Sequence, residues 1–136
     1  MRIVSALLAG ALFASSMPAF ANSTVNDRAE ARLAKALDGR VAGKPVDCIQ
    51  LHDIDSTEVF DRTAILYRTI GGKLYVNRPK SGLSSLDSND ILLTKSWTSE
   101  LCSIDTVHLL DRTLHFETGF VGLGEFVPYT KAVAAQ

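Results

Sequence analysis

A ten-residue stretch occurs twice in this chain and limits what it can fold into. Ile54-Asp55-Ser56-Thr57-Glu58-Val59-Phe60-Asp61-Arg62-Thr63 returns as Ile104-Asp105-Thr106-Val107-His108-Leu109-Leu110-Asp111-Arg112-Thr113, with no gap in either copy. Ile, the first Asp and the whole of Asp-Arg-Thr are identical, and Leu51 matches Leu101 just upstream. Self-similarity at a fixed offset is the trace of a duplicated supersecondary unit. Each copy reads as a strand that enters a turn at Asp-Arg and returns as a second strand. Two paired hairpins are therefore expected to form the body of the fold, with a pseudo-twofold relation between its halves.

The ends place the chain in a compartment. Met1-Arg2 is followed by an apolar run from Ile3 to Phe13, then by small residues ending in Ala19-Phe20-Ala21. This is the pattern of a secretory signal peptide over residues 1–21, cleaved after Ala21. The run falls short of the roughly 18 to 20 residues that span a bilayer, and no later stretch approaches that length. The expected fate is export from the cytoplasm. Fourteen Lys and Arg against fifteen Asp and Glu leave a nearly neutral chain with no basic run. That argues against nucleic acid as a partner. Cys48 and Cys102 are the two cysteines. In an exported protein an even, small cysteine count reads as a disulfide, and a redox pair would favour the C-x-x-C spacing that is absent.

Residues 22–45 read as a helix and a connector. Ala29, Leu33, Ala36 and Leu37 line one helical face, and Gly39 is a natural stop. From Val46 the texture changes to short strands between turn residues. Gly71-Gly72 marks a hairpin, Pro79 to Asp90 reads as a polar surface loop, and Thr113 to Glu117 alternates as a strand. Gly122 and Gly124 suggest a bulge, a barrel corner or a close backbone approach. Pro128 is expected to stop the ladder, and residues 131–136 to form a tail. The fold class is mainly β: a small antiparallel barrel or sandwich of about seven or eight short strands. It is built from the duplicated hairpin, with one short N-terminal helix and a single β-rich domain over residues 46–130.

Chemistry-bearing residues are sparse. Asp61 and Asp111 precede their turns, where an Asp carboxylate accepts backbone N–H groups two residues on. Asp55 and Asp105 would face each other under a symmetric pairing, as carboxylates do in acid–base hydrolysis. His52 with Asp53 or Asp55 is the only other acid–base or metal candidate, because His108 and His115 read as strand residues facing out. No metal-ligand spacing, nucleophile elbow or phosphate loop is present. Asp87 to Asp90 opens like a calcium loop but lacks the later Gly and Glu. No metal site, catalytic residue or cofactor is expected.

One resemblance rests on particular residues. Cys48 with Ile54, Asp61-Arg62-Thr63, Tyr75, Leu101-Cys102-Ser103-Ile104-Asp105 and Leu123-Gly124-Glu125-Phe126-Val127-Pro128 together resemble a group of small exported proteobacterial proteins carried as a domain of unknown function. The similarity runs from about Val46 to Pro128. It implies a periplasmic or secreted β-rich domain, and no reaction. The expectation is a non-catalytic binding or interaction module of the cell envelope, its partner an envelope protein or a small ligand. The rival is a small hydrolase using Asp55, Asp105 and His52 where the two halves join. A third reading is a protease-inhibitor-like module presenting the Pro79 to Asp90 loop.

Overall fold

The computed structural model describes residues 25–133; the leader and its cleavage after Ala21 lie outside them. Among the described residues the chain forms one α-helix and ten strands in three antiparallel sheets. The helix α1 (Val25–Ala36) is rich in Ala, Arg, Lys and Glu, which favour helix. It buries Ala29 and Leu33, with Ala36 and Leu37 packed beside them. Gly39, in the left-handed region, follows its last turn.

β1 (Arg40–Ala42), β3 (Ile54–Phe60), β4 (Ala64–Thr69), β5 (Leu74–Asn77) and β10 (Phe126–Lys131) form the largest sheet, in the order β1-β10-β5-β4-β3. β6 (Asp90–Thr94), β8 (Thr106–Asp111) and β9 (Glu117–Gly122) form a second, ordered β6-β8-β9. β2 (Cys48–Gln50) and β7 (Glu100–Cys102) pair as a two-stranded ribbon.

β4 sets the layering. Ala64, Ile65, Leu66 and Tyr67 are all buried, so both faces of this strand are covered. Ala64 and Leu66 join Phe60, Leu74 and Val76 beneath α1. Ile65 and Tyr67 point the other way, into a core with Val59, Val107, Leu109, Val121, Phe126 and the Ile49–Leu101 pair. The five-stranded sheet is thus the middle layer, with the helix on one face and the smaller sheets on the other. The result is sandwich-like, with no closed barrel.

The two copies of the repeat are the hairpins β3–β4 and β8–β9, and they lie in different sheets facing each other across the core. No strand of one hairpin is hydrogen-bonded to a strand of the other. The halves instead pair through the strands that flank the hairpins. In the ribbon, Gln50 stands opposite Glu100, the residue one repeat length of 50 away. In the β5–β10 pair, Val76 faces Val127 and Asn77 faces Phe126. The same offset carries Val76 to Phe126 and Asn77 to Val127, exchanging those two pairs. Both contacts obey one operation, which is the pseudo-twofold relation expected of the duplication.

Two local expectations are corrected. Pro128 does not stop the ladder; it sits in β10 opposite Tyr75 and accepts the Gly43 N–H at 2.7 Å. Its missing donor falls past the end of β1, at the sheet margin, where Pro is tolerated. The segment from Thr113 to Phe116 is a turn, not a strand. Asp111 Oδ1 accepts the N–H groups of Thr113 and Leu114 at 2.8 and 2.7 Å, and the Asp111 N–H donates to the Phe116 carbonyl. His115 is left-handed in that turn (φ 56°) and does not face out of a strand. The stretch after Pro79 is a largely exposed loop, as expected, and it is tied down along its length. Leu86 is buried in the main core, Lys80 and Ser81 bond to Gly122 on the edge of β9, and Ser88 N–H reaches Asp61 Oδ1 at 2.7 Å. A Cβ on Gly82 would collide with the Phe120 carbonyl, so the loop approaches β9 backbone to backbone. Close approach is also the reason for Gly124, whose N–H and C=O are both bonded by the buried Asn77 amide.

Candidate functional site

The disulfide is where the cysteine count placed it. Cys48 and Cys102 stand directly opposite each other in the ribbon and are bonded, with Cα atoms 4.0 Å apart. The neighbouring Ser103 N–H donates to the Asp47 carbonyl, which leaves Cys48–Cys102 at a non-hydrogen-bonded position, where opposed side chains come closest. On the same face, Gln50 Nε2 donates to Glu100 Oε1 at 2.6 Å. The opposite face, Ile49 and Leu101, is core.

The acid–base candidates are scattered around this ribbon. His52 Nε2 lies 3.2 Å from Asp53 Oδ1, and both side chains are more than half exposed. Asp55 is exposed where β3 slips register between Ile54 and Ser56. Asp105 Oδ2 accepts the Cys102 N–H at 2.7 Å, fixing the turn between β7 and β8. Among the described residues no hydrogen bond or ion pair joins Asp55 to Asp105, or either to His52. Among the described residues the one grouping with metal-ligand elements close together is Cys48, Cys102 and Glu100, and both of its sulfurs are spent on the disulfide.

Among the open clefts formed by the described residues, two carry acidic side chains. One, of about 380 Å³, lies between the ribbon and the β4–β5 turn and is lined by Gln50, Asp53, Lys73 and Tyr75. The other, of about 440 Å³, separates the edge strands β3 and β6. Its charged groups are already engaged. Glu58 is held by Arg68 at 2.8 Å and Arg32 at 3.4 Å, Asp90 accepts from Thr118 Oγ1 at 2.7 Å, and Arg112 donates to the Asn89 carbonyl. These bonds join elements of the fold together. Neither cleft presents a nucleophile beside a base.

The most distinctive surface is the outer face of the three-stranded sheet. Leu92, Val107, Leu109 and Val121 point inward to the core, so alternation turns Ile91, Leu93, Leu110 and Phe120 outward. Phe120 is 57 % exposed, and Ile91 and Leu93 are each 39 % exposed. In their midst His108 Nδ1 lies 2.9 Å from Glu117 Oε1. Apolar side chains gathered on one exposed face can mark an interaction site. The consecutive apolar run Ile91-Leu92-Leu93 was the available signal, since such a run puts apolar groups on both faces of a strand.

No family model, curated protein or solved structure matches this chain. The expected Cys48–Cys102 disulfide is present, while no comparison supports the resemblance to the exported group.

Proposed function

We propose that this chain is an exported, disulfide-stapled interaction protein of the bacterial cell envelope, acting by binding and not by chemistry. The apolar outer face of the three-stranded sheet carries the reading. Phe120, Ile91 and Leu93 stand on a sheet whose inner face is buried core, an apolar and aromatic composition that suits a protein-recognition surface. The N-terminal leader pattern and the disulfide agree with an oxidising compartment. The test is photocrosslinking in the host envelope, with a photoreactive residue at position 93 or 120 and at the exposed Asp87 as control. Specific adducts at 93 and 120, but not at 87, are expected. No adducts, or equal adducts at all three positions, would remove the reading.

A further inference from the structure

We infer that the outer face of the three-stranded sheet is a docking surface for an amphipathic α-helix of a partner protein, one carrying a basic residue on its flank. This rests on the interaction reading above and names its partner. The internal repeat carries the argument. The β3–β4 register sets Glu58 opposite Leu66, and the β8–β9 register sets His108 opposite Phe120. Glu58 and His108 are the same position of the repeat, as are Phe60 and Leu110. In the first half this face is covered by α1, and Phe60 and Leu66 are fully buried. In the second half the same strand positions have no cover among the described residues. The segment one repeat length on from α1, residues 75–86, is used instead for β5 and for the loop that holds the edge of β9.

Charge sets the flank. Arg32 of α1 crosses the Phe60 ring at 5.4 Å and reaches Glu58 Oε1. On the uncovered face the carboxylate is supplied by Glu117, beside His108. A docking helix would place an Arg or Lys there, next to an apolar stripe of small residues and Leu. The α1 of a second copy is not the occupant, because its Ala29 and Leu33 are buried in its own fold.

The probe is α1 itself: a terminally blocked peptide of residues 22–38, titrated into the isotope-labelled, disulfide-bonded protein. Amide shifts are expected at Leu93, His108, Leu110 and Phe120, with binding at least tenfold weaker to the Phe120→Lys or Ile91→Lys variant. Both sites are exposed, and amide dispersion verifies that each variant is folded. An Arg32→Glu peptide should bind the native face at least tenfold more weakly and recover on the Glu117→Lys variant, a swap that a purely steric contact would not show. Absence of shifts on this face, or shifts only beneath α1, overturns the helix inference. If photocrosslinks at position 120 persist in that case, the interaction reading survives with a non-helical partner. If they fail too, both fall.

Discussion

Tyr67 and Asp111 show how differently two polar groups are treated in this fold. The Tyr67 hydroxyl is buried in the core, edge-on to Phe126 at 5.7 Å between ring centres, with no hydrogen-bond partner among the described residues. Burial raises its pKa, as expected for a phenol kept from water. Tyr67→Phe should therefore stabilise the protein by about 1 kcal/mol, read by urea denaturation. Asp111 is the opposite case. The backbone N–H groups of Leu114 and Thr113 hold its carboxyl below the usual range. A lowered folded-state pKa means stability that is present above the ordinary aspartate value and lost as pH falls through the folded one. The stability gap between the native protein and Asp111→Ala should be full at neutral pH and close in strong acid. A gap independent of pH would remove the carboxylate from the account. This turn role was legible in the sequence, because Asp before a turn accepts local N–H groups whatever surrounds it. The identical Asp61-Arg62-Thr63 was less so. Its Asp61 reaches across to Ser88, a partner 27 residues away.

At the scale of elements, α1 followed its pattern closely, since the stripe Ala29, Leu33, Ala36 and Leu37 is the face that packs. Its attachment is reinforced by Glu30 with Arg78 at 2.6 Å, a pair whose hydrogen bond lowers the pKa of Glu30 and raises that of Arg78. Both side chains are about half exposed, so the pair contributes at most about 1 kcal/mol. The loop after Pro79 is largely exposed, as its polar residues predict, but polarity says nothing about where the backbone lies. Gly82 is both left-handed (φ 71°) and pressed on the Phe120 carbonyl. Gly82→Ala should cost at least about 2 kcal/mol and loosen the edge of β9, measurable as faster amide exchange at Gly122. Unchanged stability would mean that the loop can lift off without consequence.

For the molecule as a whole, the disulfide ties the halves at the ribbon where the pseudo-twofold brings them together. It closes a separation of 54 residues, and the chain-entropy account assigns such a link about 4 kcal/mol. Cys48→Ser should lower stability toward that figure, with thermal unfolding as the check. A negligible loss would mean that the β5–β10 pairing and the shared core already join the halves.

The mainly β class, the duplicated hairpins, the buried stripe of α1 and the Cys48–Cys102 pair were all legible along the chain. Each follows from local periodicity or from having only two cysteines to join. The tertiary structure alone decided that the hairpins occupy facing sheets, that Pro128 lies in a strand and that Leu86 is core. It also decided that no hydrogen bond or ion pair joins Asp55, Asp105 and His52 among the described residues, and that Leu66 lies under a helix while Phe120 in the equivalent place is open. The reason is physical. A repeat specifies the strand and which way each side chain points, but burial depends on what lies opposite, and that is contributed by other parts of the chain.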